Sequence, residues 1–150
     1  MKLAEALTER ADLQKRLNQL SVRLSANARV QEGESPAEDP AELLAELEGI
    51  TARLEELIFR INATNCAVLD QGESLPALLA RRDCLSKRVE ILRAFLREAS
   101  NLAARATHSE IKIKSTVPVA QLQKQADALS KQLRELDVRI QSLNWTTELL

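Results

Sequence analysis

The sequence predicts a mainly α-helical protein in which four long antiparallel helices with coiled-coil-like heptads form a bundle, with a short β strand or ribbon near 110–117. Three observations predict this class. Leu and Ala supply most of the apolar residues and Glu, Arg, Gln and Lys most of the polar ones, a mixture that favours long helices. Apolar residues recur at alternating steps of three and four. The prolines lie at the starts of helical stretches or between them.

The chain is predicted to form one helical domain, 1–150, because a chain of 150 residues can bury a core without disulfides or metals. The first helix is expected over 2–27. Its apolar seam consists of Leu3, Ala6, Leu13, Leu17, Leu20 and Leu24. A connection follows over 28–39, where Gly33 and Pro36 interrupt the helical pattern.

The second helix is expected over 40–64. Asp39 before Pro40 is a strong start signal, because an aspartate caps the free N–H groups and proline fits the first helical position. The seam consists of Leu43, Leu47, Ile50, Leu54, Leu57 and Ile61. Three further residues widen the apolar face, Leu44, Thr51 and Ile58. We therefore expect this helix to contact more than one neighbour.

The second half of the chain repeats the pattern of a turn followed by a helix. Residues 65–74 are predicted to form a connection that ends in Ser74, a potential cap for a helix over 75–105. A connection over 106–118 precedes the last helix, 119–143, which has the most regular heptads of the chain.

Two local features complete the expected fold. Residues 110–114 alternate between polar and apolar side chains, which predicts a strand that pairs with an extended piece at 29–33 or with a second copy of the chain. Trp145 is predicted to fill a gap and so anchor the C-terminal residues.

Two arginines, Arg10 and Arg82, occupy positions where the apolar seams require a hydrophobic residue. A buried guanidinium needs a carboxylate partner, and Asp83 and Asp127 are candidates. One interpretation is a structural ion pair that fixes the helix register. A second is a polar cavity, inside the bundle or between subunits, in which these residues bind a small anionic ligand. A third is simple exposure at an open helix end.

Other candidate site residues lie before the last helix. Lys112 and Lys114 share one face of the predicted strand and either contact phosphates or form a solvated face. His108 and Glu110 are weak candidates for a metal site, since the alternative is an ordinary loop histidine. We find no catalytic motif and predict no cofactor, which favours a protein that is not an enzyme.

Composition narrows the expected partners and compartment. A net charge of -1 argues against nucleic-acid binding, and no window approaches the apolar length of a membrane span. Cys66 and Cys84 lie outside any metal-binding or disulfide pattern, so we expect reduced thiols in a cytoplasmic protein.

Several segments, among them RADLQKRL, ARVQEGE and the closing LQKQADALSKQLRELDVRIQSLNWTTEL, resemble a bacterial family of short helical proteins of unknown function, sometimes labelled septicolysin-like. The resemblance covers nearly the whole chain. It implies long antiparallel helices and a homo-oligomer, with a hexamer as the expected size. The label itself implies a pore-forming cytolysin.

The sequence thus leads to three hypotheses about function. The first is a homo-oligomeric structural or interaction protein, because long helices with two apolar faces need partners. The second is a small-ligand or metal-binding protein, or an enzyme, with an Arg and carboxylate site at the bundle or subunit interface. The third is the pore-forming activity that the septicolysin-like resemblance implies.

Overall fold

The computed structural model describes residues 1–102 and 112–150, and it confirms the mainly α-helical class with bundle-like packing. The helices are α1 (Leu3–Ala26), α2 (Pro40–Ala67), α3 (Leu75–Ser100) and α4 (Val119–Thr146). Two short strands, β1 (Leu69–Asp70) and β2 (Glu73–Ser74), form a two-stranded sheet.

The chain divides into two compact units. The first contains residues 1–70 and 143–150, and the second contains residues 71–142. The first unit is therefore built on α1 and α2, and the second on α3 and most of α4. The single-domain organisation predicted from the sequence stays a prediction.

In the first unit, α1 and α2 pack side by side in antiparallel directions. Their heptad leucines form the core, and Leu20 and Leu57 are fully buried. Four ion pairs between described residues cross from α1 to α2 or to the turn before it. They join Glu9 to Arg53 (2.7 Å), Arg16 to Glu46 (3.3 Å), and Arg23 to both Glu38 (2.5 Å) and Glu46 (3.2 Å). We call these pairs the ion-pair ladder.

The last four residues, 147–150, complete the first unit by pairing with the start of the chain and the end of α2. Their hydrogen bonds include Leu3 N to Thr147 O (2.9 Å), Leu149 N to Met1 O (2.9 Å) and Leu150 N to Thr64 Oγ1 (3.0 Å). Leu149 is buried, whereas Trp145 is 61% exposed. The prediction that Trp145 anchors the terminus is therefore wrong. Main-chain pairing and Leu149 do so instead.

In the second unit, α3 begins as predicted, with Ser74 Oγ accepting a hydrogen bond from Ala77 N (3.4 Å). α3 and α4 are antiparallel, and Arg93 joins them by donating to Asp127 (3.0 Å) and Ser130 (2.9 Å). The buried apolar residues of this unit are Leu75, Leu78, Val89, Leu96, Ala126, Leu136 and Ile140.

The strands of the structure lie at other positions than the strand predicted near 110–117. Residues 112–117 have no strand, and the rest of the predicted strand lies outside the described residues. The observed sheet instead surrounds the turn at Gln71 and Gly72, which have φ angles of 52° and 83°. Positive φ at both central residues is the geometry of a tight hairpin turn, and glycine adopts it without strain.

The predicted helix starts are accurate and the ends less so. α2 continues past 64 to Ala67, and α4 continues past 143 to Thr146. α3 ends at Ser100, whereas the sequence predicted 105; residues 103–105 lie outside the described residues.

Candidate functional site

Arg10 lies on α1, where its side chain is half-buried. Its Nε atom is buried and has no hydrogen-bond partner within the described residues. The expected carboxylate partner for this nitrogen is therefore not found in that part of the chain.

Arg82 lies on α3 and is 34% exposed. Its Nε and Nη2 atoms both donate to Asp83 Oδ1, at 3.0 and 2.7 Å. Asp83 is the next residue of the same helix and is exposed. The pair therefore neutralises the guanidinium locally and joins no second helix.

Asp127, the other proposed partner of Arg82, is bonded to Arg93 instead. Lys112 and Lys114 are exposed in an irregular segment. His108 and Glu110 lie outside the described residues. Within the part of the chain that is described, no group of three or more His, Cys, Asp or Glu side chains could hold a metal ion.

An open groove of about 370 Å³ lies between the end of α3 and the start of α4. Its lining residues are Arg93, Leu96, Arg97, Ser100, Asn101 and Gln123. We call this the Arg93 groove. Arg93 is paired with Asp127, whereas Arg97 forms no ion pair with any described residue. The groove thus combines guanidinium, hydroxyl and amide donors with excess positive charge, a chemistry suited to an oxyanion.

The sequence analysis did not identify the Arg93 groove, because these residues lie outside the apolar seams. Their spacing is a signal for it, since Arg93 and Arg97 are four residues apart and Asn101 follows after another four. Residues at this spacing lie on one face of a helix.

The second candidate surface is the outer face of α2, which we define by Leu44, Glu48, Thr51, Glu55, Ile58 and Phe59. Leu44 is 51% exposed, Ile58 37% and Phe59 72%. A shallow groove of about 460 Å³ runs along it and is lined by Thr51, Leu54, Glu55, Ile58 and Phe59. The residues predicted to contact a further neighbour are thus open to solvent in the described chain.

The ion-pair ladder lowers the pKa of two of its carboxylates, those of Glu9 and Glu38. The hydrogen bond from Arg53 lowers the pKa of Glu9, and the hydrogen bond from Arg23 lowers that of Glu38. Donating these hydrogen bonds to the carboxylates raises the pKa of both arginines. These groups pair with each other along the contact between α1 and α2.

No described helix is long and apolar enough to cross a membrane. Comparison with curated proteins finds no match. Among solved structures, a functionally unknown conserved protein from Corynebacterium diphtheriae is 41% identical, with a TM-score of 0.90. The match covers 100% of this chain and 99% of that one.

The prediction of a family of unknown function is confirmed, and neither the matched family nor the structural neighbour carries the septicolysin-like name. A family model described as a family of unknown function matches residues 10–149. The chain belongs to this family, DUF6847.

Proposed function

We propose that the protein is a homo-oligomeric structural or interaction protein that assembles through the outer face of α2. The observation that carries the proposal is the exposure of Leu44, Ile58 and Phe59 on one side of an otherwise well-packed helix. Exposed apolar patches that line a groove mark interaction sites, whereas isolated exposed residues do not.

The spacing of the outer face supports a helix as its partner. Leu44, Thr51 and Ile58 are separated by seven residues, and Leu47 and Leu54 fall between them. This 3-4 alternation is a second heptad seam that shares Leu47 and Leu54 with the first. A second copy of the chain supplies helices of matching length.

The test is the mass in solution, measured by light scattering after size exclusion. The native chain is expected to be an oligomer, and the double variant Leu44→Glu with Ile58→Glu a monomer with unchanged helical circular dichroism. Val22→Glu, at an apolar site on α1 that is more exposed than Leu44 and Ile58, is the control and should leave the mass unchanged. A native chain that is monomeric at micromolar concentration would overturn the proposal.

A second candidate function, binding of a small anionic ligand, is favoured by the Arg93 groove. Arg97 contributes a guanidinium without an ion-pair partner among the described residues, next to Ser100 and Asn101. Titration with inorganic phosphate followed by calorimetry tests it. Arg97→Gln should abolish the heat of binding and Arg134→Gln, an exposed arginine of α4, should not.

The septicolysin-like resemblance names a third function, pore formation. Its test is leakage of a trapped dye from lipid vesicles, which our first proposal predicts to be absent. The cytoplasm is the compartment we propose, supported by Cys66 and Cys84, which are both exposed and unpaired.

A further inference from the structure

The outer face of α2 is acidic as well as apolar. Glu48 and Glu55 are exposed and flank Thr51 on either side. The basic residues of α2 do not balance them, because Arg53 is bonded to Glu9 and Glu56, and Arg60 to the Leu150 main-chain oxygen. Two copies that met through this face alone would place glutamates against glutamates, and like charges opposed in an interface are unfavourable.

A basic and apolar line runs along α4. Lys124, Lys131 and Val138 are spaced by seven residues and all three are exposed. We call these three residues the α4 basic line. The nearest carboxylate to Lys131 is that of Glu135, at 3.9 Å, and both side chains are largely exposed. An exposed contact of this length contributes little, so the lysine remains able to pair with another carboxylate.

The two surfaces have matching periods. Leu44, Thr51 and Ile58 repeat every seven residues, as do the residues of the α4 basic line, so successive positions on both helices are about 10.5 Å apart. With Lys131 opposite Thr51, its ammonium lies between Glu48 and Glu55. Val138 then faces Leu44 if the two helices are antiparallel, and Ile58 if they are parallel. An apolar contact forms in either orientation.

We infer that the outer face of α2 in one copy packs against the α4 basic line of the next copy. This inference rests on the proposed function and names its partner surface. Contact between two different faces of identical chains is head-to-tail, so it closes into a ring or continues as a filament. Lys124 and Lys131 direct the pairing by charge, and the apolar residues supply the buried contact.

Charge reversal tests the inference. The variant Glu48→Lys with Glu55→Lys has two basic faces, and the variant Lys124→Glu with Lys131→Glu has two acidic faces. Each alone is expected to dissociate at least ten times more readily than the native chain. An equimolar mixture should assemble again, because basic and acidic copies then alternate. Sedimentation velocity measures all three samples, and Lys15→Glu on α1 is the control.

The outcomes separate this inference from the proposed function. A monomeric native chain overturns both. An oligomer that Leu44→Glu with Ile58→Glu dissociates, but that Lys124→Glu with Lys131→Glu leaves intact, retains the proposed function and overturns the α4 surface as the partner. Failure of the mixture to assemble, when both variants keep native helical content, also overturns it.

Discussion

The two helical pairs of this protein are held together by different means. Between α1 and α2, the ion-pair ladder follows the contact, and the last four residues pair with the start of the chain. Between α3 and α4, Arg93 joins the helices by hydrogen bonds to Asp127 and Ser130. Further ion pairs connect Glu73, just before α3, with Arg81 and Arg139.

The ion pairs and the buried leucines contribute differently to the free energy of unfolding and to the alignment of the helices. Exposed ion pairs contribute roughly 0–1 kcal/mol each, so the ladder alone adds little to the free energy of unfolding. Burial of a leucine side chain contributes about 1.5–3 kcal/mol. We therefore expect the leucine seams to stabilise both pairs and the ladder to select the antiparallel alignment of α1 with α2.

The largest effect should come from opening the core of the first pair. Leu57 is fully buried, and Leu57→Ala is expected to reduce the free energy of unfolding by about 3–4 kcal/mol because the cavity cannot be filled. Leu136→Ala in the second pair should lose less, about 2 kcal/mol, since this side chain retains slight exposure. Urea unfolding measures both variants.

Hydrogen exchange localises each loss to its own unit. Leu57→Ala should accelerate exchange in α1 and α2, and Leu136→Ala in α3 and α4. Equal losses from the two variants would contradict the difference expected from the burial of Leu57 and Leu136.

Deletion of residues 147–150 should have the next largest effect. It removes the buried Leu149 together with the hydrogen bonds to Met1, Leu3 and Thr64, so we expect a loss of about 2–4 kcal/mol. Trp145→Ala is the control and should change stability by less than about 0.5 kcal/mol, because this ring is exposed. Thermal melting compares the two; a larger effect at Trp145 would contradict the assignment of the anchor to the tail.

Most of the fold could be predicted from the sequence, because heptads and capping residues are local signals. Asp39 and Ser74 cap helices where the sequence indicates, and the seam leucines of α2 are largely buried. The hairpin around Gly72 could not be predicted, because each strand has two residues and no alternation can be read from so short a segment. The C-terminal pairing depends on contacts between residues far apart in sequence.

Heptad spacing does not decide which of the candidate carboxylates pairs with Arg82. Arg82 is in a seam by spacing, yet a long side chain can reach an adjacent aspartate without leaving its own helix. Which acid it selects depends on rotamers that periodicity does not encode. The sequence predicts that the wide apolar face of α2 contacts more than one neighbour. Leu44, Thr51 and Ile58 are exposed in the described chain, and the further contact stays a prediction.

Because of the ion-pair ladder, we expect the stability of the α1 and α2 pair to depend moderately on pH. Glu9 and Glu38 have pKa values below the ordinary 4.5 in the folded chain. Their contribution to stability is therefore present above pH 4.5 and is lost as the pH falls through the lowered values. The double variant Glu9→Gln with Glu38→Gln should show a smaller loss of stability between pH 6 and 3 than the native chain, as measured by urea unfolding at each pH.

The exposed Glu34, in the connection before α2, supplies the matched control for this titration. Glu34→Gln should follow the native pH profile. If the double variant also follows it, the ladder carries no pH-dependent stability.

The smallest expected effect is that of Arg82→Leu. The Arg82 guanidinium donates both hydrogen bonds to Asp83 on the same helix, so its removal breaks no hydrogen bond between the described parts of α3 and α4. A leucine at this half-buried position contributes apolar area, and we expect the free energy of unfolding to stay within about 0.5 kcal/mol of the native value or to rise.

Arg93→Leu is the informative comparison, because it removes the bonds to Asp127 and Ser130 across the helix pair. A loss above about 1 kcal/mol for Arg82→Leu in urea unfolding, with Arg93→Leu unchanged, would reverse the roles of the two arginines and make Arg82 the residue that joins the helices.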